Sequence, residues 1–262
     1  MTIHPSAARG FEAGAEAYER GRPDYSAEAV ERLARELLVL PGTRVLDLAA
    51  GTGKLTRLLV PIGADIVAVE PVPAMRAQLA RAVPGIEILD GTAEAIPLPD
   101  GSVDAVTVGQ AFHWFDGDRA LAEIHRVLRP HGGLGLIWQA RDPVRPWIEQ
   151  LNQIIDRADD GHPRFRTFEW RAAFERSRLF GPLDSADYAT VQRGDLETFV
   201  DRVASISYVA ALPEEARAGV LSEVRELLAT DLETAGADVI ELPYRVHVFW
   251  TFALATEHLL VT

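Results

Sequence analysis

Cysteine is absent from this chain of 262 residues, and methionine occurs only twice. Without thiols there is no disulfide, no thiolate nucleophile and no zinc–thiolate site. Long apolar runs are missing too: no stretch reaches the roughly 20 residues that a membrane-spanning helix needs. The opening segment, MTIHPSAARGFEAGAEAYERGR, has no apolar core followed by a cleavage site. No export signal is expected from it, and a cytoplasmic location is. Basic residues are in deficit, with 26 Lys and Arg against 39 Asp and Glu and a formal net charge of −13. Nucleic acid is normally bound by a basic face, so the balance points to a small molecule as partner and away from nucleic acid or a membrane. No set of His and carboxylate residues shows metal-ligand spacing, and metal-dependent chemistry is not expected.

What the chain does have is a change of rhythm at Thr43–Thr56, TRVLDLAAGTGKLT. Val45, Leu46 and Leu48 form a short apolar run with Asp47 near its end. Five small residues follow, Ala49 to Gly53, and then Leu55, Leu58 and Leu59 restart at helical spacing. Small residues let a ligand approach the backbone, and a helix N-terminus offers unpaired N–H groups to it. The rest of the chain can be placed around this turn. Ser26 is a plausible N-cap for a helix carrying Ala29, Val30, Leu33 and Leu37. Strands are expected at Asp65–Glu70, Ile86–Leu89, Val103–Val108 and Leu134–Trp138, with helices after Pro73 and over Asp116–Leu128 between them. Beyond Arg141 the chain reads as helices at Trp147–Ala158, Phe168–Phe174, Leu196–Tyr208 and Glu214–Leu228. Further strands are expected at Ala186–Gln192 and Tyr244–Leu254. This is an α/β pattern: a Rossmann-like, doubly wound, mostly parallel seven-stranded sheet with a helical cap inserted between late strands. One domain over 1–262 is expected, with its core at about 26–141 plus the late strands and its cap at about 142–243.

Three nucleotide readings compete for the turn. A phosphate-binding P-loop needs Ser or Thr directly after Gly-Lys, and Leu55 follows Gly53-Lys54. The dinucleotide fingerprint needs a third glycine where Thr56 stands, which weakens it without removing it. The third reading fits better. DLAAGTGKLT resembles the AdoMet-binding turn of class I S-adenosylmethionine-dependent methyltransferases. Glu70 stands where that family places its ribose-binding acid. Residues 91–115, GTAEAIPLPDGSVDAVTVGQAFHWF, and 123–138, EIHRVLRPHGGLGLIW, match its small-molecule branch. That branch includes trans-aconitate methyltransferases and the methyltransferase type 11 family. The resemblance implies methyl transfer from S-adenosyl-L-methionine to an O, N or C atom of a small molecule. A non-enzymatic AdoMet-binding descendant and an NAD(P)-dependent oxidoreductase are the alternatives. Ala49 and His131 depart from the pattern, each standing where the family usually has glycine.

Site residues follow from chemistry and resemblance together. A carboxylate at Glu70 can accept two hydrogen bonds from ribose hydroxyls, or it can be an ordinary acid at a strand end. Asp47 is expected to organise the turn. The resemblance assigns Ala49, Gly51, Gly53, Pro71, Gln110 and Ala111 to the cofactor, and Ala93 and Glu94 to its adenine side. Met75 could cover the adenine face or simply fill core. In GRPDY, Arg22 could pair with the cofactor carboxylate while Tyr18 and Tyr25 close over the sulfonium, Tyr25 facing the acceptor. The bland account is a helix packed on the fold. His113 is the best-placed titratable group for a catalytic base, with Trp114 beside it and a packed histidine as the rival reading. Arg141 could face the substrate or pair with Asp142. Trp138, Trp147, Phe165, Phe168, Trp170 and Phe174 suggest an apolar, aromatic-lined acceptor pocket under the cap, with more of them expected as ordinary core than as pocket wall.

Overall fold

The computed structural model describes residues 22–159, 161, 163 and 165–255. Tyr18 lies outside the described residues. The expected N-cap is present: the Ser26 side chain accepts a hydrogen bond from the backbone N–H of Ala29 at the start of α1 (Ala27–Glu36). Strand β1 (Arg44–Leu48) is buried from Val45 onward. A continuous apolar run of this kind belongs in the middle of a parallel sheet covered on both faces. The chain continues through α2 (Thr56–Leu59), β2 (Asp65–Val69), α3 (Pro73–Ala82) and β3 (Glu87–Leu89) to β4 (Val103–Gly109). A short 3₁₀ turn, Phe112–Trp114, leads into α4 (Gly117–Val127), capped by the Asp116 carboxylate.

Strand β5 (Leu128–Arg141) starts earlier than expected, directly after α4 and through Pro130 and Gly132-Gly133. Its pairing with β4 is irregular there. Val103 faces Leu128, but Ala105, two residues on, faces Gly133. The intervening chain bulges out, and His131 sits in the bulge at φ 64°. That left-handed conformation is the physical reason glycine is favoured at this position, and Ala49 at φ 56° has the same one.

After β5 come α5 (Pro146–Arg157), α6 (Arg171–Arg176), β6 (Asp184–Gly194), α7 (Leu196–Ala204), α8 (Ser207–Ala210), α9 (Glu214–Thr230) and β7 (Ile240–Phe252). The sheet has seven strands in the order β3-β2-β1-β4-β5-β7-β6, and β7 runs antiparallel to both its neighbours. The region 142–243 is therefore not one helical insert. Strand β6 divides it and joins the sheet as an edge, with no fully buried residue. The single helix expected over 196–208 is also broken. Ile206 is extended at ψ 127°, so Ser207 begins a separate turn.

One face of the sheet is covered by α1 and the turn helix, with Leu33 and Leu59 fully buried. The other is covered by α4, through Leu121 and Ile124, and by an aromatic cluster around Trp138. A third core joins α5, α7, α8 and α9 to the first residues of β7, centred on Trp147, Phe199, Leu228 and Tyr244. The parallel strands β1, β2, β4 and β5 all end on one sheet edge. The order reverses between β1 and β4, which is where open α/β sheets bind ligands.

Candidate functional site

The turn after β1 holds its shape through the backbone. Ala49, Gly51 and Gly53 all have positive φ, at 56°, 59° and 89°. At Gly53 a Cβ would press on Leu79 Cδ1 and carry the strain of φ 89°, so glycine lets the turn lie against α3 without moving that leucine. Asp47 is 1% exposed and spends both oxygens locally. Oδ2 accepts from the Thr56 hydroxyl at 2.5 Å and Oδ1 from the Thr107 hydroxyl at 3.2 Å. Burial pushes its carboxyl up to about 6, against the pull of those hydrogen bonds. Asp47 thus pins β1 to β4 and to the turn helix, and organises the turn as expected.

Glu70 sits across from it at the end of β2. The Gly51 N–H donates to Oε2 at 2.9 Å and the Val72 N–H donates to Oε1 at 2.8 Å. The side chain is 4% exposed, and burial raises its carboxyl to about 7. Each oxygen keeps acceptor capacity beyond its one N–H partner. Arg76 donates to the Glu70 carbonyl at 2.7 Å and pairs with Asp90, which fixes the strand end. Met75 and Ala93 are buried, at 2% and 3% exposed. The Glu94 carboxylate accepts from the Asp116 N–H at 3.0 Å, so its side chain secures the start of α4. Pro71 and Ala111 are half-buried.

A small cavity of about 30 Å³ opens on the turn, lined by Asp47, Ala49, Gly51, Lys54, Tyr25 and Gly109 among others. Tyr25 covers it closely, since a Cβ at Gly109 would stand 2.8 Å from its hydroxyl. Tyr25 therefore belongs to the turn side of the site more than to the acceptor side where it was expected. Lys54, 9% exposed and 3.2 Å from Asp24, also lines this cavity. A second cavity shares Tyr25 and Lys54 with it and adds Arg22, Gln110, Gln139, Arg202 and Tyr244. A third, of about 160 Å³, shares Arg22, Gln110, Gln139 and Arg202 with the second and extends under the cap. The three adjoin in a run from the turn to α7 and α8.

In this third cavity His113 and Trp114 line the sheet side. The Trp138 Nε1–H donates to His113 Nδ1 at 3.2 Å. Indole nitrogen can only donate, so Nδ1 accepts and the imidazole proton is on Nε2. Burial, with the Arg22 guanidinium acting the same way, pushes this imidazole down to about 3. His113 is thus a neutral hydrogen-bond donor, and the geometry does not suit the base role expected of it. Gln110, at φ 61°, donates from its amide to the Gln139 carbonyl at 3.1 Å.

Arg141 does not pair with Asp142, whose carboxylate meets Arg245 at 2.8 Å. Its Nε donates instead to Asn152 Oδ1 at 2.7 Å, which presents the guanidinium to the cavity. Arg166 and Arg202 line the same space. Burial, with the charges of Arg202 and Arg166 acting the same way, lowers the Arg141 guanidinium to about 10. Of the aromatic residues expected here, more are core than pocket wall. Phe165 lines the cavity, but Trp138 and Trp147 are fully buried and Trp170 is 7% exposed. Trp138 stacks on Phe165 at 4.8 Å and packs on Trp170 at 4.6 Å, so these rings form core beneath the cavity floor. Phe168 is 44% exposed.

Residues that sequence reasoning passed over are Lys54, Gln139, Arg166, Arg202, Ser207 and Tyr208. Arg202 did carry a signal. It shares a helix face with Phe199, Val200 and Val203, and a charge on an apolar face needs a partner or a task. Among the described residues, no group of His, Cys, Asp or Glu is placed to hold a metal ion, and no helix is long and apolar enough to cross a membrane.

Comparison with known proteins gives the family and the fold. The family described as "Methyltransferase domain" matches residues 46–136, which span the turn, Glu70, β4 and most of β5. An uncharacterised methyltransferase of Mycobacterium tuberculosis is 45% identical over 236 residues, covering 87% of this chain and 89% of that protein. A solved structure assigned to an antibiotic-pathway methyltransferase of Anabaena variabilis has the same fold, with a TM-score of 0.65 at 22% identity over 87% of this chain and 98% of its own. The fold also matches a Haemonchus contortus phosphoethanolamine N-methyltransferase in complex with S-adenosylhomocysteine, at TM-score 0.58 and 15% identity, covering 97% of this chain and 61% of that one. The chain belongs to the methyltransferase family and has the fold of its class I members.

Proposed function

We propose that the protein methylates an O, N or C atom of a small molecule in the cytoplasm, as one catalytic unit in which the helices around β6 cap the acceptor site. The family implies S-adenosylmethionine as donor. The residues present fit it: Glu70 has acceptor capacity left on both oxygens, and Gly51, where a Cβ would meet nothing, keeps the backbone bare beside it. Glu70 would take the ribose hydroxyls, and Ala49, Gly51, Gly53 and Lys54 would line the methionine side. Arg22, on the two outer cavities, would face the donor's carboxylate. When bound, this cofactor supplies a methyl group already activated on a sulfonium. The chain's own task is then to align the nucleophile and exclude water. Tyr25 closes the turn cavity, Gln110 is fixed by Gln139, and His113 offers its Nε2–H as a donor beside them.

The observation that carries this reading is the Glu70 carboxylate, buried at the strand end and held toward the turn by the Gly51 N–H. Its test is calorimetry with S-adenosylhomocysteine. Glu70→Ala is expected to weaken binding by more than about tenfold, the loss of one charge-assisted contact or more. Unchanged affinity would mean that the ribose assignment is wrong.

A further inference from the structure

The two edges of the sheet are unlike. At one, β3 is only three residues long, Glu87–Leu89, and offers little backbone to a neighbour. At the other, β6 runs for eleven residues, Asp184–Gly194, and pairs with β7 over that whole length without a break in register. Among the described residues no strand lies against its outer side. An edge strand leaves a row of backbone N–H and C=O groups unpaired on that side. Proteins commonly blunt such a row with a short strand, proline, lysine or a bulge. Strand β6, DSADYATVQRG, has none of these four.

Its side chains point to what completes it. Asp187, Ala189, Val191 and Arg193 alternate onto one face of the sheet and are exposed. Tyr188, Thr190 and Gln192 alternate onto the α1 side and are half-buried. Asp187 Oδ1 lies 2.8 Å from His247 Nδ1, and Arg193 Nε donates to Glu241 at 2.9 Å. Even so, the Asp187 and Arg193 side chains stay 49% and 67% exposed. The exposed face thus carries an acid toward one end, a base toward the other and apolar groups between them. Such a strand is complementary to itself run in reverse.

A two-fold axis between identical chains brings residue i against j and j against i. Facing residues of an antiparallel pair share a face of the sheet, so the axis passes through a residue. Centred on Thr190, it sets Asp187 against Arg193 twice, Tyr188 against Gln192, Ala189 against Val191 and Thr190 against itself. Opposite charges, apolar contacts and Thr–Thr pairs are the cross-strand pairs that stabilise a sheet. Centring on Ala189 or Val191 instead would set Arg193 against Ser185 or Ala189 and lose the charge pairs.

We propose that β6 is the contact surface of a dimer, in which a second copy of this chain adds its own β6 antiparallel about an axis at Thr190. The two seven-stranded sheets then form one continuous sheet. Strand β6 runs through Asp195 into α7, which carries Arg202 to the cavity under the cap, so the pairing braces that side of the site. The dimer does not depend on which donor or acceptor the site takes.

The test uses the full chain in sedimentation equilibrium across micromolar concentrations. The parent is expected to form a reversible dimer. Arg193→Asp makes both charge pairs like-charged and should raise the dimer dissociation constant by about tenfold or more, because the axis counts the change twice. Adding Asp187→Arg to that variant should restore most of the loss, which a folding defect would not allow. The register is read separately. The chain has no cysteine, so a single introduced thiol reports on its own position. Thr190→Cys should give a cross-linked dimer on mild oxidation, since facing residues lie within disulfide reach. Ser185→Cys should not, because its two copies would stand roughly 33 Å apart along the strands. A single-chain mass at every concentration, a dimer indifferent to Arg193→Asp, or cross-linking at Ser185 and not at Thr190 would overturn the proposal.

Discussion

The two halves of the proposed site, donor and acceptor, are built in opposite ways. The donor side is made by backbone and short side chains within a single strand–turn–helix–strand unit. Ala49, Gly51 and Gly53 set the turn, Asp47 pins it, and Glu70 faces it from the next strand. The acceptor side is made by long charged side chains from distant elements. Arg22 precedes α1, His113 follows β4, Arg141 ends β5, and Arg202 comes from α7 beyond β6. The donor side depends on close approach and tolerates little change in shape. The acceptor side depends on charge and on how the cap helices meet the sheet, so it can change its ligand without disturbing the fold.

Substitutions can break or sharpen that contrast. The largest effect is expected at Gly53. A Cβ there presses on Leu79 Cδ1 and carries the strain of φ 89°. Gly53→Ala should cost about 3 kcal/mol in denaturant unfolding and deform the donor side. A neutral result would show that the turn is looser than its geometry implies.

Next is the pH response of Glu70. Its carboxyl rises from 4.5 to about 7 in the folded chain, so the folded state holds this proton more tightly than the unfolded state. The resulting stability is fully present below about pH 4.5 and is lost as pH rises through about 7, a total of roughly 3 kcal/mol. His113 works in the other direction. Its depressed value gives stability that is present above about pH 6.5 and lost as pH falls toward about 3. Comparing Glu70→Gln with the parent isolates the first contribution. Stability curves that stay parallel between pH 5 and 8 would contradict it.

On the acceptor side, His113→Ala should lower the methylation rate by less than about tenfold and leave its pH profile flat around neutrality. A general base typically contributes 10²- to 10⁴-fold, so a loss of that size would restore the base role. The smallest effect belongs to the bulge in β5. His131→Gly relieves the left-handed residue at φ 64° and should stabilise the chain by about 0.5–1 kcal/mol, which thermal unfolding would detect.

The same contrast decides what could be read from the chain beforehand. The donor turn was legible because its signal is local: a strand period, small residues, a helix period, and an acid closing the next strand. The parallel strands around it were legible for the same reason. Strand β5 was read too short because Pro130 and Gly132-Gly133 look like a break, and the bulge that absorbs them is visible only in the pairing with β4. The division of the cap by β6 was missed in extent because an edge strand with alternating exposure carries a weak pattern. On the acceptor side, the aromatics were legible as core more than as lining, but the groups that do line the cavity were not. Trp138, Trp147 and Trp170 gain more from burial in the core than from a cavity wall, and arginines from three separate elements took their place. No pattern within one element can show which arginines will meet.

The account stands on the separateness of these two sides, and one series in a calorimeter tests it directly: S-adenosylhomocysteine titrated into the parent chain, Glu70→Ala and Arg141→Met. The account predicts one-to-one binding to the parent, affinity weakened by more than about tenfold in Glu70→Ala, and affinity unchanged in Arg141→Met. Full affinity in Glu70→Ala together with a loss in Arg141→Met would contradict it.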